Sequence, residues 1–282
     1  MKWRGRRGSS NIEDRRRAGP GRAGVRVGGF GLVAILVIGW ALGVDVTPLL
    51  QDGGGVPTSG QTEITPEDER AAEFVSVALA DTETVWAEIF QSQLQRQYRP
   101  PTLVLFKGVT QSPCGGASGA TGPFYCPLDQ KAYLDTVFFV TLEKRLGAGG
   151  DFAAAYVVAH EIAHHVQNEL GILGKVQQVR SQVSQSESNA LSVRTELQAD
   201  CLSGIWARYA QDRLGTLERG DIAEAMNAAR QIGDDTLQQN AGRVPQPHTF
   251  THGTSEQRQE WFARGFQSGS VGDCDTFGAS RL

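Results

Sequence analysis

The sequence predicts an α+β fold, a small β-sheet on a mainly helical body, with one transmembrane helix ahead of it. Three observations predict it. The β-prone apolar runs are confined to residues 101–142, and from Asp151 onward the apolar spacing turns helical and stays so. Near the N-terminus, residues 27–44 form a run of 18 residues without a charge. A hydrophobic share of 40% with 21% charged residues fits a folded chain and excludes a disordered one.

The net charge of −4 hides a split. Residues 1–26 carry +7, from nine Lys/Arg against Glu13 and Asp14, which leaves −11 for the rest. This basic head is expected in the cytoplasm. The apolar run after it, with Phe30, Leu32, Val33, Ile35, Leu36, Val37, Ile38 and Trp40, makes roughly 27 Å of helix, enough to cross a hydrocarbon core. Arginines ahead of a span stay inside, so the C-terminal body is expected to be extracytoplasmic. A cleaved signal peptide with Ala41-Leu42-Gly43 as its site is the competing reading, and it also exports the body. Residues 45–66, rich in Gly, Pro, Ser and Thr, read as a flexible linker with a reach of about 25 Å.

The folded domain is expected over residues 67–282. Pro66-Glu67-Asp68-Glu69 resembles a helix start, and Phe74, Val77, Ala78, Val85, Trp86, Ile89 and Phe90 continue at helical spacing to about residue 93. Strands are expected at 101–106, 122–126 and 133–142, the last including Val137, Phe138, Phe139 and Val140. Asp151 is a candidate N-cap for a helix running to about Leu170 and closed by Gly171. Further helices are expected over 194–213 and 221–232. Thr254-Ser255-Glu256-Gln257 has the spacing of a capping box opening a last one. Four cysteines allow three pairings. Cys114–Cys126 with Cys201–Cys274 is favoured, because the first pair staples a Gly- and Ser-rich loop; free thiols fit an exported domain poorly.

The chemistry concentrates in His160-Glu161-Ile162-Ala163-His164. Residues four apart on a helix lie about 40° apart around its axis, so both imidazoles can reach one ion. Glu161 points about 100° away from His160, beside such an ion, where it can take a proton from a water. A shuffled chain of this composition would show the HExxH pattern in roughly 0.5% of cases. Two surface histidines are the bland alternative, but the neighbours Ala155, Val157, Val158, Ala159, Ile162 and Ala163 make a buried helix, where polar groups need partners. A catalytic zinc site takes three protein ligands. Glu196 is the candidate third, with Asp200 four residues on to accept the free ring N–H of a ligand histidine. The alternatives are a first-turn helix acid for Glu196 and an ion pair with an Arg for Asp200. His165, rotated away from the metal face, reads as a packing residue or as one that supports a ligand from behind. His252, in a loop, either donates to a developing oxyanion or bonds locally.

The strings HEIAHHVQ, TELQADCLSGIWA, HGTSEQRQEWFARGF and GDCDTF, together with the N-terminal MKWRGRRGSSNIEDRRR before one apolar run, resemble the bacterial neutral zinc metallopeptidase family. The resemblance spans nearly the whole chain and is weakest in the linker. It implies a zincin-like fold, one Zn²⁺ per chain on His160, His164 and Glu196, and Glu161 as catalytic base. The Glu196/Asp200 spacing is also similar to that of thermolysin-like gluzincins. Substrates would then be peptides or proteins. An inactive metal-binding scaffold of the cell envelope is the alternative. A di-iron bundle would need a second Glu-x-x-His, which is absent from the sequence. Nucleic-acid binding is not expected, because the basic cluster precedes the span and the body is acidic overall.

Overall fold

The computed structural model describes residues 1–17, 63–118, 122–144 and 146–282. The expected transmembrane helix over 27–44 and most of the linker lie outside them; among the described residues no helix is long and apolar enough to cross a membrane. The elements are β1 (Ile12–Asp14), α1 (Pro66–Ser92), β2 (Thr102–Phe106), β3 (Val109–Ser112), β4 (Gly115–Ser118), β5 (Phe124–Cys126), β6 (Lys131–Asp135) and α2 (Thr136–Lys144). The helical half follows with α3 (Asp151–Glu169), α4 (Ile172–Arg180), α5 (Gln185–Tyr209), α6 (Asp221–Gln231), α7 (Asp234–Asn240) and α8 (Ser255–Ser268).

The sheet runs β1-β2-β6-β5, with the first three strands parallel and β5 antiparallel at one edge. Its alternation is visible in β2. Leu103 and Leu105 face the main core with Ala132 and Leu134, while Val104 and Phe106 join Cys126, Tyr133 and Phe124 on the other side. Strands buried on both faces read as continuous apolar runs, which is how residues 101–106 read in the sequence. The β3–β4 hairpin is tied to β5 by the Cys114–Cys126 disulfide.

Residues 1–17 depart from the sequence reading of a separate basic head. Trp3 is buried with its ring 5.5 Å from that of Phe74, and β1 adds to the sheet in register Ile12↔Leu103 to Asp14↔Leu105. The arginines hid this segment, since a charged run gives no strand signal until its ion-pair partners are known.

Two other boundaries move. The expected strand 133–142 stops at Asp135, whose carboxylate accepts the Val137 and Gly108 N–H groups; Thr136–Lys144 then winds as α2. An unbroken apolar run such as 137–140 has neither period, so spacing does not distinguish the two structures. The expected helix at 194–213 begins nine residues earlier, under a capping box of Ser184 and Glu187, which puts Glu196 in mid-helix.

The start of α3 is capped from outside. Gly150, at φ 115°, is the N-cap, and Glu224 accepts the Phe152 N–H at 3.0 Å. Asp151, expected as the cap, accepts the Trp3 indole N–H at 2.8 Å instead. At the other side of the body α5 and α8 touch backbone to backbone. A Cβ on Gly265 would lie 1.8 Å from the Cys201 carbonyl oxygen, and one on Gly204 would lie 2.0 Å from that of Phe262. The Cys201–Cys274 disulfide fixes this crossing, so both bridges are those favoured from the sequence. Between these fixed points α3 lies against α5 and α6, with Tyr156, Val158, Ile162 and Val166 in the core.

Candidate metal centre

The α3–α5 pairing brings the three expected ligands together. His160 Nε2 stands 3.0 Å from Glu196 Oε2, and His164 Nε2 stands 3.6 Å from the same oxygen. One donor atom from each of the three residues falls within a 4.8 Å cluster that could hold a metal ion. Tetrahedral zinc with bonds of about 2.0–2.1 Å spaces neighbouring donors about 3.3 Å apart, so this nitrogen–nitrogen–carboxylate set fits that ion.

Both imidazoles are turned so that Nε2 faces the cluster, and each Nδ1 has its own neighbour. For His164 it is Gln167, whose Oε1 lies 2.8 Å away; the Gln167 amide nitrogen donates to Thr195 O and Gln198 Oε1, and Gln198 donates to Cys274 O. For His160 it is Asp200, whose Oδ1 lies 2.9 Å away, off the line of a straight hydrogen bond. Asp200 is fully buried and receives two bonds from Arg258, at 2.9 and 3.0 Å, and one of 2.5 Å from the Tyr156 hydroxyl. Arg258 also reaches Tyr156 Oη and Ile232 O.

Burial works against charge at every one of these groups, and the partners decide the outcome. At His160 burial is outweighed by Asp200 and then Glu196, which carry its pKa up to about 10. His164 is raised in the same way against burial, chiefly by Glu196. Glu196 is held well below its usual value, burial opposing and the two imidazoles prevailing. Asp200 is lowered against burial by Arg258 and His160. Glu161 is the exception: burial raises its pKa, and His164 and His160 offset this only in part. Among the described residues the Glu161 side chain makes no hydrogen bond.

His252 is close enough to Glu196 for their charges to interact. Its Nδ1 lies 3.2 Å from Asp234 Oδ1, and Asp234 Oδ2 accepts the N–H groups of Thr251, His252 and Gly253. That seat keeps the imidazole in place with 42% of its surface exposed. Its pKa is raised, burial opposing and Asp234 and Glu196 outweighing it. His165 faces away, buried between Tyr125, whose hydroxyl lies 3.0 Å from Nδ1, and the Arg99 carbonyl oxygen at 2.7 Å from Nε2.

The sequence reading missed Gln167, Tyr156, Arg258 and Asp234. Tyr156 stands four residues before His160 and Gln167 three after His164, so helical spacing alone could have flagged both. Nothing local marks Arg258 or Asp234.

A family model described as "Putative neutral zinc metallopeptidase" matches residues 1–277. The chain belongs to this family. Membership points to zinc as the ion for the His160/His164/Glu196 group. One relative in it, "Uncharacterized protein YpfJ" of Escherichia coli (strain K12), is 47% identical over 292 residues, covering 99% of this chain and all of its own length. Another, "Uncharacterized protein Rv2575" of Mycobacterium tuberculosis (strain ATCC 25618 / H37Rv), is 47% identical over 195 residues, covering 66% of this chain and 65% of its own. No solved structure matches the chain. The family match includes residues 1–17, which contain the first strand of the sheet.

Proposed function

We propose that the chain is a zinc-dependent peptidase, with the ion held by His160, His164 and Glu196 and with Glu161 as general base. The observation that carries this reading is the orientation of the two imidazoles. Each has its Nδ1 beside a fixed partner and its Nε2 beside one carboxylate, and the Glu161 carboxylate adjoins them without a hydrogen bond of its own.

Zinc at this place supplies Lewis acidity toward a carbonyl oxygen and a water. The chain supplies the rest. Glu161, its pKa raised by burial, takes a proton from the attacking water and passes it to the leaving amine. His252, its pKa raised against burial by Asp234 and Glu196, is placed to donate a hydrogen bond to the oxyanion that develops. The β5 strand ends the sheet with one edge open, and an extended substrate backbone can pair there. Tyr125 on that strand is bonded to His165 on α3, which fixes the edge relative to the ligands. Two disulfides support an oxidising compartment for the body, and the apolar run 27–44 supports attachment to a membrane.

The test is Glu161→Gln in the full chain, assayed on a peptide mixture and for zinc content. Cleavage should fall about 10²–10⁴-fold while one zinc per chain is retained. A variant that cleaves as well as the parent would overturn the assignment of Glu161.

A further inference from the structure

The N-terminal segment is built into the same unit as the metal centre. The Trp3 indole donates to Asp151, the first residue of the helix that carries His160 and His164. Asn11 and Ser9 both donate to the Glu83 carboxylate on α1, and Arg6 pairs with Asp81, two residues before it. Arg16 is buried, donating to the Asp68 carbonyl oxygen at 2.9 Å and to Glu69 at 3.1 Å, while it also grips Asp14. Arg15 pairs with Glu13 and reaches Gln111 O. Of the cationic residues up to position 17, only Lys2, Arg4, Arg7 and Arg17 are exposed.

Arg17 and Glu63, on either side of residues 18–62, lie at one place. Arg17 lies 3.8 Å from Glu69, and Glu63 on the far side of the intervening residues is held by Lys107, which also pairs with Asp68. Both ends therefore meet at the first turn of α1. Two points separated by a bilayer would stand at least about 30 Å apart.

We propose that residues 1–17 and the metal centre lie on the same side of any membrane, as one folded unit, and that the N-terminal arginines serve the fold rather than hold a cytoplasmic head across a single crossing. The proposal replaces the topology expected from charge alone: three of the arginines counted as inside-directing signals are engaged with partners in the folded unit. It does not depend on the peptidase reading, because the test reads position and not hydrolysis.

In the full chain, Arg7→Cys in the N-terminal segment and Val244→Cys in the body each place one thiol at an exposed site, the native cysteines all being paired. Intact and lysed cells are treated with a membrane-impermeant maleimide. The two positions should behave alike, both labelled in intact cells or both only after lysis. Labelling of one in intact cells and of the other only after lysis would overturn the proposal. A second variant guards against a mislocalised fraction. A Cβ on Gly8 would lie 3.2 Å from Ser76 Cβ, close to the separation a disulfide spans, so Gly8→Cys with Ser76→Cys should cross-link. With a protease site inserted among residues 45–62, the cut N-terminal piece should stay bound until reductant is added. Its release without reductant would mean that the segment does not rest on its own body.

Discussion

The two histidines proposed as ligands occupy one helix and are supported in opposite ways. Behind His160 lies a fully buried ionic knot of Asp200, Arg258 and Tyr156, drawn from three helices. Behind His164 lies a chain of neutral amides, Gln167 and Gln198, that ends on the Cys274 carbonyl oxygen. A buried ion pair costs desolvation and gives back little net stability, but half of one is far worse than none. A neutral amide chain costs less to bury and less to break. The difference suggests a division of labour: the ionic side couples the metal centre to the integrity of the fold, and the amide side only orients a ligand.

The largest test of that division is Asp200→Ala, which strands the Arg258 guanidinium in the core. Unfolding by urea should show a loss of about 3–5 kcal/mol. Gln167→Leu, of similar size, should leave the protein folded yet weaken zinc about 10–100-fold, read by competition with a chelator. If Gln167→Leu unfolded the protein as badly as Asp200→Ala, the contrast between the two sides would be lost. Arg258→Lys keeps the charge and gives up the fork to Asp200 together with the reach to Ile232 O. A stability loss of about 1–3 kcal/mol is expected, smaller than that of Asp200→Ala.

The smallest effect is graded by pH. A pKa of about 10 leaves His160 protonated at neutrality, so zinc must displace that proton to bind Nε2. Affinity should then rise with pH, by up to about tenfold per unit, and level off above about pH 10. Calorimetric titration in buffers of different ionisation enthalpy counts the protons released. No release at pH 7 would mean that Asp200 and Glu196 do not hold the imidazole charged.

What the sequence made legible follows from range. His160, Glu161 and His164 are read from one helix turn, and Glu196 and Asp200 from another. Only the meeting of those helices had to be supplied by the fold. Gln167 and Tyr156 share that helix and were passed over because neither has a distinctive chemistry until its neighbour is seen. Arg258 and Asp234 were not legible, since their partners lie 58 and 18 residues away. In the fold, the long helices showed through their period and the cysteine pairs through their loops. The first strand did not, because three residues flanked by arginines carry no alternation that reaches significance.

The crossing of α5 and α8 has a consequence for the order in which the protein comes into being. Synthesis runs from the N-terminal side, and Arg258 is made 58 residues after Asp200. Until then the growing chain carries the two histidines, Glu196 and Asp200, but nothing to neutralise Asp200 behind His160. The close approaches of Gly204 to Phe262 and of Gly265 to Cys201, and the Cys201–Cys274 bridge, wait on the same later stretch. The first strand must likewise wait for its partner, some 90 residues downstream. A nascent chain therefore has the candidate ligands well before it has the residues that complete the centre behind them.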